Sequence, residues 1–351
     1  MRERTIAIPR LLNVGAGCLS ALEPLLREAA FDLHAVCVGA GEGPSVQFAD
    51  AAVEGLRGAG IEPLEVHGLS GRLDQAAELA ARVIEDGVTL LVAVGGGRVI
   101  DTVKLAAART GTDLVSVPTA ISHDGISSPV ASLVPKDGPR QSYAAAMPGG
   151  IIVDIDVIGS APPRTLRAGV GDLVSNLTAL MDWRRADALG HDRYDAFSAM
   201  IAEHAARPVL DIEELSTAAS HELVAKGLLM SGLAMAAAGT SRPCSGAEHL
   251  ISHGLDERLG DRAAMHGEQV ALGTLVAAEA HGSPMRATLV EFFDRLELPC
   301  RPGQLGIGDA ELEDAILGAP ATRPDRYTIL TDVLEQDGDV PALLERAFAK
   351  G

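Results

Sequence analysis

Basic residues are in short supply. Lys and Arg total 29 against 48 Asp and Glu, a formal net charge of −19. Nucleic acids are held by concentrated Lys and Arg, so no nucleic acid partner is expected. The acidity reads as a solvated, self-repelling surface. Cysteine is also sparse. Cys18, Cys37, Cys244 and Cys300 form no CxxC pair, which indicates neither a cysteine-based zinc site nor a redox motif. Their spacing builds no disulfide framework, which fits a reducing, cytoplasmic setting. The N-terminal Met-Arg-Glu-Arg-Thr-Ile lacks the apolar core of a signal peptide. Long apolar runs are missing too. The longest weakly polar stretch, between Lys226 and Arg242, is shorter than the ~20 residues of a membrane span and is rich in Ala, Gly and Ser. It reads as a buried helix, and no membrane insertion is expected.

What remains is ordinary globular material, 47% hydrophobic and 22% charged. At 351 residues the chain has room for two domains of roughly 100–200 residues each. The first half alternates short apolar runs with helical patterns. Strands are expected at Leu33 to Val38, Leu90 to Val94, Leu114 to Val117 and Ile151 to Ile155. Helices are expected at Ala51 to Ala59, Leu73 to Asp86 and Val99 to Arg109. This alternation implies a parallel sheet covered on both faces. After Pro162-Pro163, strand-like runs nearly vanish and Ala-rich helical periodicity takes over. The expected plan is an α/β nucleotide-type domain over residues 1–160 and an all-α domain over 161–351. A ligand site is expected in the cleft between them.

Three segments carry the candidate chemistry. In the first, the strand Leu91 to Val94 runs into Gly95-Gly96-Gly97 and then into a helix holding Arg98, Val99, Ile100, Asp101 and Lys104. Glycines let a backbone approach a pyrophosphate, and a helix N-terminus offers unpaired N–H groups. The pattern is not GxGxxG, so it serves equally as a tight strand–helix turn. The second segment follows a strand directly, which puts it at the carboxyl edge of the sheet, where open α/β sheets bind ligands. It crowds Thr119, Ser122, His123, Asp124, Ser127 and Ser128 together. The third lies in the helical half. Gly171-Asp172 opens a helical pattern running through Asn176 to Trp183. His249 and His253 stand four apart, on one helix face, and His266-Gly267-Glu268 follows. Three histidines within 18 residues, beside a buried Asp candidate, point to a metal set that leaves a position open for substrate. The order Glu248-His249 is not the HExxH of metalloproteases.

Taken together, GGGRVIDTVK, a PT-containing loop, GD, EH and HGE resemble the superfamily of glycerol dehydrogenase, iron-containing alcohol dehydrogenase and dehydroquinate synthase. SVPTAISHDGISSP, GVGDLVSNLTALMDW, RPCSGAEHLISHGLD, HGEQVALGTL and RPDRYTIL are similar, more finely, to the sn-glycerol-1-phosphate dehydrogenase family. The resemblance implies a Rossmann-like N-terminal domain and a helical C-terminal domain, as in dehydroquinate synthase. It implies reversible NAD- or NADP-dependent reduction of dihydroxyacetone phosphate to sn-glycerol 1-phosphate. It implies Zn2+ or another divalent metal on Asp172, His249 and His266, with Asp124 and His253 touching the substrate. Gly95 to Asp101, Thr119, Ser122 and Ser128 would line the cofactor. The substrate is a small polyol phosphate, and a homo-oligomer is expected. Glu42 is a poor positional match for the acid that usually holds the adenosine ribose, so NAD and NADP both stay open. Arg242 and Arg326 are the candidates for the substrate phosphate, since each lies in a family block. Lys104 is read as structural or pyrophosphate-side. A dehydrogenase of another small polyol, alcohol or ketone, a cyclising lyase like dehydroquinate synthase and a non-enzymatic binding protein are the alternatives.

Overall fold

A computed structural model describes residues 6, 8–336 and 338–349. Its centre is a six-stranded, all-parallel sheet. The strands are β1 (Leu11–Gly15), β2 (Val36–Ala40), β3 (Leu64–Val66), β4 (Leu90–Gly95), β5 (Asp113–Pro118) and β8 (Gly150–Asp154), in the order β1-β8-β5-β4-β2-β3. A two-stranded antiparallel hairpin, β6 (Val130–Leu133) and β7 (Gln141–Ala144), stands apart from it. β2, β4 and β8 are buried along their whole length, as strands covered on both faces must be. Helices α1 (Leu22–Glu28), α2 (Val46–Gly58), α3 (Leu73–Glu85) and α4 (Gly97–Thr110) complete this half.

After β8 the described chain is helical. α5 (Ile155–Ser160), α6 (Pro163–Val174), α7 (Asn176–Ala188), α8 (Ala196–Ala206) and α9 (Ala218–Ala238) come first. α10 (Ala247–Leu259), α11 (His266–Ala280), α12 (Met285–Arg295), α13 (Asp309–Thr322), α14 (Ile329–Glu335) and α15 (Val340–Ala347) follow. One core joins the two halves: Leu91 and Ile151 of the sheet belong to the same buried cluster as Leu173, Leu228 and Leu275. The other face of the sheet packs Val92 and Val94 against Ala52 and Leu56 of α2.

The strand expected at Leu33 to Val38 starts three residues later and runs to Ala40. His34 is turned out of extended pairing because its N–H donates to Asp32 Oδ1 at 3.0 Å. The helix expected at Ala51 begins at Val46, and Ala49, Ala52, Val53 and Leu56 form its buried stripe. Gly171 and Asp172 do not open a helix. They lie in the last turn of α6, and Asn176 starts α7. The stretch between Lys226 and Arg242 is the second half of α9, closed by Gly239 at φ 63°. No described helix is long and apolar enough to cross a membrane. β1, β3 and the hairpin carried no readable pattern. β3 has three residues, β1 is half exposed, and β7 is the polar Gln-Ser-Tyr-Ala.

Candidate active site

The carboxyl ends of β4 and β5 open into a cleft of about 1310 Å³ whose other wall is helical. Gly96 and Gly97 form the turn between β4 and α4. A Cβ on Gly95 would strike Val99 at 2.7 Å, and one on Gly97 would strike His123 Nε2 at 2.3 Å, whereas one on Gly96 would meet nothing. Gly96 is therefore the glycine whose bareness faces open space. The turn is pinned to the next strand by Thr119, whose N–H donates to Gly95 O at 3.0 Å.

Lys104 locks the loop after β5 in place. Its ammonium is fully buried and donates to Asp101 Oδ1 at 2.9 Å, Gly125 O at 2.6 Å and Val130 O at 2.8 Å. Asp101 Oδ2 accepts from Ser132 N–H at 3.1 Å. Gly125 N–H donates to His123 Nδ1 at 3.0 Å, which leaves the proton of the neutral ring on Nε2. Asp124 N–H donates to Asp172 Oδ2 at 2.9 Å, so the loop is tied to α6.

The other oxygen of Asp172 carries the key observation. Oδ1 is buried without a hydrogen-bond partner. It faces His249 Nε2 at 3.6 Å and His266 Nε2 at 3.5 Å, and the three candidate ligand atoms lie within 4.8 Å of one another. His249 is turned by Glu248, whose Oε1 accepts from Nδ1 at 3.0 Å. A carboxylate only accepts, so the proton of a neutral His249 sits on Nδ1 and its Nε2 lone pair points at the Asp172 oxygen. Two acceptors facing each other in a buried site fit a cation between them. His266 Nδ1 pairs with Ser252 Oγ at 3.1 Å, which orients the second ring. The supporting helices touch through glycine: a Cβ on Gly171 would lie 2.4 Å from Gly267 O, and one on Gly267 would lie 1.9 Å from Ala168 O.

Burial and neighbouring charge move three groups of the site away from their ordinary titration ranges. Burial and the charge of Asp172 push the Asp124 carboxyl up to about 8. Burial lowers His249, but Asp172 and Glu248 overcome it and hold the ring near 9. Burial, joined by the charge of His249, presses His266 down to about 3. The surroundings thus push the two imidazoles in opposite directions, His249 up and His266 down.

Twelve of the expected site residues meet at this place. Gly96, Gly97, Arg98 and Val99 line the cleft at the glycine turn, with Thr119, Ser122 and Ser128 beside them. Asp124, His249, His253 and His266 line it further along, and Asp172 sits behind them. The other three offer it no free group. Gly95 ends β4, packed on Val99, and Ile100 is wholly buried in the core. Asp101 touches the cleft, but both its oxygens are spent on Lys104 and Ser132. Glu42 stands two residues beyond β2 and lines the cleft. Four further residues were given no site role from the sequence. Glu248 was signalled only by its place before His249. His123 stands edge-on to His266 with ring centres 5.9 Å apart. Arg140 and Arg323 also line the cleft; Arg323 opens the RPDRYTIL block, while no pattern marked Arg140.

Residues 13–162 match the family model described as iron-containing alcohol dehydrogenase. A glycerol-1-phosphate dehydrogenase [NAD(P)+] of Methanothermobacter thermautotrophicus is 36% identical over 340 residues, 95% of each chain. The protein of the same name from Thermococcus kodakarensis is 42% identical over 274 residues, 76% of this chain and 77% of that one. Among solved structures, a probable glycerol dehydrogenase from Sinorhizobium meliloti 1021 has the same fold, with a TM-score of 0.78 at 22% identity, covering 98% of this chain and 99% of that one. The likeness runs through both the sheet and the helical half that holds Asp172, His249 and His266, and the chain belongs to the glycerol-1-phosphate dehydrogenase family.

Proposed function

We propose that the protein catalyses the reversible, NAD(P)-dependent and divalent-metal-dependent reduction of dihydroxyacetone phosphate to sn-glycerol 1-phosphate. The observation that carries the metal's place is the unpartnered Asp172 Oδ1 facing two imidazole nitrogens. The substrate comes from the name shared by relatives that are a third or more identical over most of their length. Residues 1–160 serve the cofactor in this reading, and residues 161–351 serve the metal and substrate. The protein acts in the cytoplasm and as a homo-oligomer.

Asp172, His249 and His266 hold the ion, with Glu248 and Ser252 fixing the angle of the two rings. The turn at Gly96 and Gly97 and the N-terminal end of α4 take the cofactor pyrophosphate, where α4 presents its unpaired N–H groups. Zn2+ or a similar ion supplies Lewis acidity toward the substrate carbonyl, and the nicotinamide supplies the hydride. Asp124 and His253 both line the cleft, and in this reading one of them, Asp124 through a carboxyl oxygen or His253 through a ring nitrogen, passes a proton to the product oxygen, directly or through one water. The fully buried Lys104 holds the Asp124 loop and keeps it from sampling other positions. Which face of the ketone meets the hydride rests on the family alone.

The test is a substrate panel with NADH and NADPH, read by absorbance. Dihydroxyacetone phosphate should be turned over with net consumption of the reduced cofactor. The product should resist oxidation by an sn-glycerol-3-phosphate-specific dehydrogenase. No net consumption would leave the lyase alternative, and a product that the 3-phosphate enzyme oxidises would reverse the handedness.

A further inference from the structure

The two arginines singled out for the substrate phosphate are already engaged by the protein. Arg242 is 3% exposed. Its Nε donates to Asp192 Oδ2 at 2.6 Å and its Nη1 to Tyr327 O at 2.6 Å. Arg326 donates to Ser245 O at 2.7 Å and to Ser241 Oγ at 2.9 Å. Both serve to tie α14 and its lead-in to the segment before α10.

Besides Arg98 at the glycine turn, two arginines line the cleft, Arg140 and Arg323, and neither of these forms an ion pair among the described residues. Arg323, just after α13, lines the cleft and donates through Nη2 to Ser142 Oγ at 2.9 Å. Arg140, two residues before Ser142 on the same hairpin, also lines it and donates through Nη1 to Ser132 O at 2.8 Å. A guanidinium has five donors, so each is left with most of its hydrogen-bonding capacity unspent. Ser132 and Ser142 face each other across the hairpin, so the two guanidinium groups are brought to the same place, in a chain with 19 more acidic than basic side chains. The nearby acids do not serve them. Asp256 is engaged by Gln269 Nε2 at 2.9 Å, and Glu257 and Asp261 are exposed at the rim.

The place is right for a substrate. His253 lines the cleft between the two groups: its ring centre is 6.3 Å from that of His266, and the charges of Arg323 and Arg326 act on it. Burial holds Arg323 below the usual arginine range. Burial, with Arg323 and Arg242 beside it, brings Arg326 down to about 9. Arg323 and Arg140 thus bring positive charge to the part of the cleft that holds His253 and His266. We infer that Arg323, with Arg140 beside it, is the subsite that takes the phosphate of the substrate and sets the preference for a phosphorylated ketone. This rests on the proposed reaction and names the residues that make it selective. Planar guanidinium forks match a phosphate dianion, which a three-carbon ketone phosphate carries one carbon and one ester oxygen from its carbonyl.

Arg323 is a binding residue here and also bridges to the hairpin, so the test must separate the two roles. The quantity to measure is the ratio of kcat/KM for dihydroxyacetone phosphate to that for dihydroxyacetone. Inhibition by inorganic phosphate, with dihydroxyacetone as substrate, is the second readout. The wild-type ratio tests the proposed reaction: a ratio near one removes that reaction and the subsite with it. A large wild-type ratio that falls ten- to a hundredfold in Arg323→Gln, with weaker phosphate inhibition, supports the subsite. Arg140→Gln should lower the ratio in the same direction. Ser142→Ala removes the bridge but keeps the charge, and should retain the ratio. If Arg323→Gln loses both activities equally, or if Ser142→Ala reproduces its effect, Arg323 is only a bridge. The subsite is then overturned while the proposed reaction stands.

Discussion

Asp124 and Asp172 are joined by a main-chain N–H donated to Oδ2 at 2.9 Å, which turns the opposite oxygen of Asp172 toward His249 and His266. One carboxylate thus both docks the loop after β5 onto α6 and offers a ligand atom. Asp172→Ala should remove most bound metal and most activity. Elemental analysis of the purified variant, beside its circular dichroism, checks this. Full metal content in a folded variant would overturn the ligand assignment.

Glu248 is not among the three candidate ligands but holds one of them, accepting from His249 Nδ1 at 3.0 Å. It also accepts from Thr178 Oγ1 at 3.0 Å, so its position is fixed. Glu248→Gln should keep the fold and lower metal affinity about 10–100-fold, the usual cost of losing a partner that orients a ligand. Chelator competition reads this without reference to turnover. Unchanged affinity would mean that the His249 ring is held by packing alone.

Gly96 and Gly97 should respond differently to substitution. Gly96→Val enters open space, so folding should survive, but the side chain stands where a pyrophosphate would approach. Loss of one such contact is worth about 1.5 kcal/mol, or roughly tenfold in the Michaelis constant for NADH. Gly97→Ala instead collides with the His123 ring, at a cost of about 1–3 kcal/mol in stability, and His123→Ala should recover part of it. Thermal melts and cofactor titrations of the three variants separate these effects. An unaltered Michaelis constant in folded Gly96→Val would make the turn purely structural.

Lys104 and Asp101 form a buried ion pair whose members also satisfy Gly125, Val130 and Ser132. Lys104→Met leaves the Asp101 carboxylate uncompensated and should cost about 3–5 kcal/mol by denaturant unfolding. Asp101→Asn in that background removes the stranded charge and should return part of the loss. A double variant no more stable than Lys104→Met would show that the hydrogen bonds to the loop, not the charge pair, hold this region.

The sequence was most legible where function and local pattern coincide. The apolar run into three glycines was readable because a buried parallel strand is apolar throughout. Asp172, His249 and His266 stood out through their glycine and glutamate neighbours. Their convergence was not readable, because α6 lies some 80 residues before α10 and only tertiary packing brings them together. Gly171 was placed at a helix start when it ends one, since Ala-Gly-Val-Gly carries no stop signal at that point. Arg323 and Arg326 share one block, three residues apart in the segment between α13 and α14. No periodicity there says which faces the cleft, and hydrogen bonds to Ser241 and Ser245 withdrew Arg326. β1 and β3 were invisible because edge strands need only one buried face.

The contact of α6 with α11 through Gly171 and Gly267 has a further effect. Gly171 and Gly267 let the main chains of the two helices meet where only the Ala271 methyl group stands beside them. Packed main chain has little slack, so a methyl group at position 171 or 267 would press the helices apart and carry the backbones of Asp172 and His266 with them. The spacing of these two residues is thus held by bare backbone next to them as much as by their own side chains.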